Sequence, residues 1–173
     1  MAFVFQYGSN TCPARLNSPE RLNGAARVVG AAVTAEPWSL AFTVDSRVNR
    51  CAAADLADVP ERPIWGVVYD IPDRLLARET AAPHRAFDAI EGNYRRGPLL
   101  VRLRSENGEL AVAREVITYR ARKAVAGLLP SLAYVRWILA GLREHAAPAE
   151  YLEYVKRRAA ENHPQRAAWL THE

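Results

Sequence analysis

Phe3-Val4-Phe5-Gln6-Tyr7-Gly8-Ser9-Asn10 is a short apolar run that stops abruptly in three small residues. Its aromatic and β-branched members suit a buried pleated surface, and no helical period survives into Gly8, so the stretch predicts a strand. Gly8 can adopt positive φ and let a ligand approach the backbone. Successive N–H groups at Gly8, Ser9 and Asn10 can then point one way and cradle a carboxylate or a developing oxyanion. The same three residues also make an ordinary β-turn. Residues further along the chain have to decide between the two.

Downstream, residues 15–23 are polar, and Ser18-Pro19-Glu20 predicts the cap and first turn of a short helix ended by Gly24. Residues 27–35 and 38–44 are apolar segments joined near Glu36-Pro37 and read as paired strands, with 50–56 a weaker strand. Residues 58–63, with two prolines that remove ladder donors, read as a loop. The nearly continuous apolar run 64–69 predicts a strand central in its sheet. A helical segment is expected from about Pro72 to Glu91, kinked at Pro83 and stopped by Gly92. Asn107-Gly108 between the runs 99–104 and 110–119 is a hairpin signal, with Leu99, Val101 and Leu103 on one face. Pro130-Ser131 opens a helix through Leu132, Val135, Leu139 and Leu142, and Pro148 opens another that ends before Asn162. Strands followed by terminal helices give an α+β domain spanning residues 1–173.

The composition excludes several function classes. The chain has 173 residues, half of them hydrophobic and 24% charged, enough to bury a core without disulfides or a structural metal. No uncharged apolar run approaches about 18 residues and no basic stretch precedes an apolar one, so neither a membrane span nor a signal peptide is expected, and the cytoplasm is. The formal charge of +4 is spread over scattered arginines, with Arg95-Arg96 and Lys156-Arg157-Arg158 the adjacent basic groups; a nucleic-acid face concentrates its charge. A barrel binding RNA through Arg95, Arg96, Arg102 and Arg104 would need aromatics on the strand 99–104, which has none. Cys12 and Cys51 read as reduced thiols. Cys12, two residues past the turn, is a nucleophile candidate without a histidine nearby. His84, His145, His163 and His172 never pair at three or four residues, so no metal is expected.

Glu91 stands out on physical grounds. It falls in the last turn of its expected helix with Asp88 one turn back, where unpaired carbonyls and the macrodipole disfavour anions by roughly 0.3–1 kcal/mol each. Without a cationic partner before Arg95, such a carboxylate has a raised pKa, useful in a general base near neutrality.

Taken in order, Phe5-Gln6-Tyr7-Gly8-Ser9-Asn10 with Arg15, then Trp65-Gly66-Val67-Val68-Tyr69, then Phe87-Asp88-Ala89-Ile90-Glu91-Gly92 with Tyr94, resemble the successive signatures of the gamma-glutamylcyclotransferase-like superfamily. Pro130-Ser131-Leu132-Ala133-Tyr134 resembles its C-terminal part. The resemblance implies a small mixed, mostly antiparallel β-barrel surrounded by helices, with a cavity at the end of the first strand. It also implies a small-molecule substrate, a γ-glutamyl amide cleaved to 5-oxoproline and a free amine, with no cofactor. The family's substrate-holding turn falls on Tyr7, Gly8, Ser9 and Asn10, its acid/base glutamate on Glu91, and a substrate-orienting tyrosine on Tyr134; Tyr94 is a candidate for the cavity mouth. The expected assembly is a monomer or homodimer. The rival class is a non-catalytic γ-glutamyl or carboxylate binder on the same fold, for which an arginine in place of Glu91 would serve better.

Overall fold

The computed structural model describes residues 1–77, 86–161, 163 and 168. In chain order it runs β1 (Ala2–Gln6), a 3-10 turn (Ser9–Thr11), α1 (Pro13–Leu16), β2 (Arg27–Thr34), β3 (Trp38–Ser46), β4 (Cys51–Arg62) and β5 (Trp65–Ile71). A second 3-10 turn (Asp73–Leu75), α2 (Phe87–Ile90), β6 (Tyr94–Leu103), β7 (Arg114–Ala121), α3 (Leu132–Glu144) and α4 (Ala149–Ala160) complete it. The class is α+β, as expected.

Five strands close into a barrel in the order β1-β5-β2-β6-β7, and β3 with β4 forms a separate two-stranded sheet. Every barrel neighbour is antiparallel except the closing pair, where β1 meets β7 in parallel at Val4 and Ile117. β5 is central, bonded to β1 on one side and β2 on the other. Its continuous apolar run has a simple cause: Val67, Tyr69 and Ile71 enter a cluster with Val4, Leu16 and Phe87, while Val68 enters a second with Phe5, Tyr7, Val135 and Tyr151. Both faces are buried, so alternation disappears. Gly66 interrupts the run because a Cβ there would lie 2.3 Å from Gln6 O and 2.7 Å from the Phe5 ring.

Several sequence expectations need correction. Residues 27–35 and 38–44 do not pair; β2 stays in the barrel and β3 leaves it to pair with β4. The divergence starts at Thr34, whose N–H bonds Ile64 O at 3.0 Å and whose hydroxyl closes the Glu36-Pro37 turn on Glu36 O at 2.7 Å. Residues 58–62 lie in β4 rather than in a loop, but the register jumps from Ser39–Ala57 to Trp38–Arg62, so Pro60 sits in a bulged stretch where no ladder donor is required. The expected helix from Pro72 to Glu91 is represented among the described residues by the 3-10 turn and the single turn of α2; Pro83 lies outside them. Residues 18–24 form turns instead of a helix, because the Asn17 side chain brackets Ala26 with bonds of 2.9 Å to both its N–H and its carbonyl.

The second hairpin arm, expected over 110–119, begins as a strand only at Arg114, whereas the hairpin turn, β6 and α3 follow their sequence signals. Gly108 takes φ +88° in the Asn-Gly turn, and Leu99 and Val101 face inward while Leu100 and Arg102 face solvent. Ser131 caps α3 by accepting from Tyr134 N–H at 3.2 Å. No described helix is long and apolar enough to cross a membrane.

Candidate active site

A cavity of about 240 Å³ opens where β1 ends. Tyr7, Gly8, Ser9 and Asn10 form one wall, Glu91 and Tyr94 another, and Tyr134 reaches in from α3. All seven residues singled out by the sequence therefore line one space. Cys12, Arg95 and Arg96 are not part of the lining. Among the described residues no group of three or more His, Cys, Asp or Glu is placed to hold a metal ion.

Glycine suits position 8 for a reason other than positive φ. Gly8 is extended, with φ −94° and ψ −151°, and an added Cβ would lie 3.1 Å from the Tyr134 hydroxyl oxygen and 3.4 Å from Ala54 Cβ. Close approach of α3 thus selects the residue. The turn itself is a 3-10 turn, with Thr11 N–H bonded to Gly8 O at 3.0 Å.

Glu91 comes directly after the last residue of α2 and is half-buried. Its Oε1 accepts from Asn10 Nδ2 at 2.6 Å. Asn10 in turn accepts at Oδ1 from Arg21 Nη1 at 3.0 Å and reaches Gln6 Oε1 at 3.2 Å. Burial lifts the Glu91 pKa from the ordinary 4.5 to about 7, with Arg21, Arg15 and the Asn10 hydrogen bond holding it down against that rise. The direction matches the sequence expectation but the cause does not. A four-residue helix has too few aligned peptides for a macrodipole of consequence, so desolvation supplies the shift. Asp88, expected to lack a partner, accepts from the Tyr119 hydroxyl at 2.6 Å and lies 3.6 Å from Arg96.

The tyrosines divide by what their hydroxyls do. Tyr7 donates to Tyr119 O at 2.6 Å and Tyr94 to Ala54 O at 2.7 Å, so both protons are committed to main chain and both phenols are pushed well above their ordinary pKa, chiefly by burial. Tyr134 differs: its oxygen accepts from Ala54 N–H at 3.0 Å, and contacts with Ala54 and Ser9 restrain a pKa that burial raises. An oxygen that accepts from the main chain has its own proton free to turn toward the cavity.

No protein-family model matches the sequence, and no curated protein matches it either. Solved structures do. A gamma-glutamyl cyclotransferase superposes with a TM-score of 0.70 at 21% identity, over 90% of this chain and 86% of that one. The chain has the gamma-glutamyl cyclotransferase fold. An uncharacterised human protein superposes at 0.71 with 22% identity, again over 90% and 86% of the two chains. YkqA from Bacillus subtilis gives 0.70 at 22% identity over 92% of this chain but 54% of its own, so this chain spans about half its length.

Within this fold the cavity holds groups that sequence reasoning missed. Arg21 and Arg47 both line it, as do Asn49, Asn93 and Tyr119. Arg21 arrives through the turns of residues 18–24, where Asn23 and Gly24 take positive φ, and Arg47 through the tip of the β3–β4 hairpin. Neither position carries a sequence signal of its own, since arginine is abundant throughout the chain. The β3–β4 pairing, once recognised, would have pointed to its tip.

Proposed function

We propose that this cavity converts a γ-glutamyl amide into 5-oxoproline and a free amine. The observation that carries the reading is a carboxyl with a pKa of about 7, Glu91, held at 2.6 Å by Asn10 in the same small space as the main chain of the β1 end. In the reaction the substrate's α-amine nitrogen bonds to the γ-carbonyl carbon and the amide C–N bond breaks. One proton leaves the attacking nitrogen and one joins the departing nitrogen, so the amine is released neutral. The nucleophile belongs to the substrate, and the lining includes no cysteine or histidine among the described residues.

Glu91 takes the proton and returns it; a pKa near working pH suits both directions of transfer. Holding the glutamyl arm bent supplies the rest, since well-oriented intramolecular attack has effective molarities on the order of 10⁵ M or more. The N–H groups of Gly8, Ser9 and Asn10 hold glutamyl oxygens, Tyr134 orients the arm through its free proton, and Tyr7 and Tyr94 contribute ring faces. Two free thiols, Cys12 and Cys51, fit a reducing compartment such as the cytoplasm.

A second reading, a non-catalytic binder of γ-glutamyl or carboxylate ligands, draws on Arg21 and Arg47 in the lining. Incubation with a panel of γ-glutamyl amino acids and γ-glutamylamines, with 5-oxoproline quantified by mass spectrometry, separates the two. Wild type is expected to release 5-oxoproline and Glu91→Gln to do so roughly 10²-fold more slowly or worse. Equal rates in the variant would remove Glu91 from the mechanism. Binding without turnover would favour the second reading.

A further inference from the structure

We propose that Arg47 selects substrates whose departing amine carries a carboxylate, so that the enzyme acts on γ-glutamyl amino acids or peptides in preference to γ-glutamyl alkylamines and polyamines. This rests on the cyclotransferase reading of the same cavity. The charged residues of the lining are Arg21, Arg47 and Glu91. Arg21 belongs to the base end: its guanidinium donates to Asn10 Oδ1 at 3.0 Å, and its charge acts on Glu91. Arg47 is exposed at the rim and forms no ion pair with any described residue.

An exposed arginine counts toward recognition only where its backbone is held in place, and here it is. Asn49 accepts from Arg15 and donates to Ser46 Oγ at 2.7 Å, closing the hairpin tip around Arg47. Arg15 is itself stacked 5.6 Å over the Trp137 ring of α3. Asn93, two residues past Glu91, also donates to Asp45 O at 2.6 Å. The tip is thus clamped between α3 and the segment that carries the base.

The chemistry sets the direction in which substrate lies. The glutamyl arm occupies the β1 end and the scissile amide must lie beside Glu91, so the departing group leads out through the mouth under Arg47. A carboxylate there meets an unpaired guanidinium whose fork matches it. A cationic amine meets a like charge, and an alkyl group leaves the arginine without a partner.

The test uses substrates that differ in one group. Wild type should have a kcat/KM about tenfold higher for γ-glutamyl-alanine than for γ-glutamyl-ethylamide, which lacks only the carboxylate. Arg47→Ala should bring that ratio close to one, and Arg47→Glu should reverse the order in favour of γ-glutamyl-putrescine. A ratio that survives Arg47→Ala, or a wild type that does not discriminate, overturns the proposal. Calorimetric titration of Glu91→Gln with the same ligands keeps this separate from the reaction. A carboxylate preference in affinity that vanishes on adding Arg47→Ala supports the role of Arg47 even if no turnover is found, whereas binding of none of them overturns both.

Discussion

The two walls of the cavity are built on different principles. The β1 wall is scaffold: β1 is bonded along its length to β5, from Ala2–Ile71 to Gln6–Val67. The turn beyond it is pinned by Tyr69, which donates to Thr11 O at 3.0 Å, and by Thr11, which donates to Ile138 O at 3.2 Å. α3 lies so close that a Cβ on Gly141 would sit 2.2 Å from the Thr11 carbonyl carbon. The Glu91 wall is a single helical turn without a side-chain cap, held by contacts made by its neighbours. Phe87 packs edge-on against Tyr119 with ring centroids 5.0 Å apart, Asp88 takes the Tyr119 hydroxyl, and Asp88 N–H bonds Leu76 O at 2.9 Å. On the proposed function, recognition therefore stands on the barrel, while proton transfer stands on a turn placed by a few side chains. Damage to the first should appear as lost stability and damage to the second as lost turnover.

Gly141→Ala should show the largest effect. Alanine gains about 1 kcal/mol of helix propensity over glycine, but its methyl overlaps backbone of the Ser9–Thr11 turn, which cannot swing aside as a side chain would. The expected cost is about 3 kcal/mol, or roughly 6–12 °C in Tm by calorimetry. An unchanged Tm would mean that the β1 wall yields more easily than its bonding implies.

Tyr119→Phe probes the other wall. It removes the 2.6 Å bond to Asp88 and leaves the ring contact with Phe87. Stability should fall by about 1 kcal/mol. The kcat should fall roughly tenfold with KM little changed, as the base loses its alignment. A lower Tm with kcat intact would make the contact structural and nothing more.

A third effect concerns Glu91 and the pH dependence of stability. Its folded-state pKa, about 7, lies above the ordinary 4.5, so its favourable contribution is complete below pH 4.5 and is lost as pH rises through 7. Glu91→Gln keeps the acceptor for Asn10 and carries no such proton. Its Tm should equal that of wild type near pH 4 and exceed it by a margin that opens between pH 4.5 and 7, then stays constant. Parallel Tm curves over that range would indicate a carboxyl that ionises normally.

These contrasts also explain what the sequence can reveal. The β1 wall is legible because one continuous stretch, Phe3 to Asn10, encodes strand, stop and lining together. The alternation around Leu99 and Val101, the Asn107-Gly108 turn and the Ser131 cap are likewise local, and each is readable. Pairing is not: Thr34 decides that β2 and β3 part company through its bonds to Ile64 and Glu36, and Ile64 lies thirty residues away. A helix-end argument marks Glu91 as a raised-pKa carboxylate, whereas the cause in the folded chain is burial, which no local stretch of sequence displays. Arg21 and Arg47 reach the cavity on irregular segments whose course depends on Asn17, Asn49 and Asn93. Nothing in their own residue type marks them.

If this cavity turns a glutamate into a base at neutral pH, the proton on Glu91 can be followed directly. Protein labelled with ¹³C at glutamate Cδ, assigned with Glu91→Gln, would be titrated by NMR from pH 4 to 9 alongside kcat/KM for 5-oxoproline release. Glu91 is expected to titrate near 7, with the acid limb of kcat/KM having its midpoint at the same pH. A Glu91 resonance that titrates near 4.5, with activity unchanged through neutrality, would contradict it.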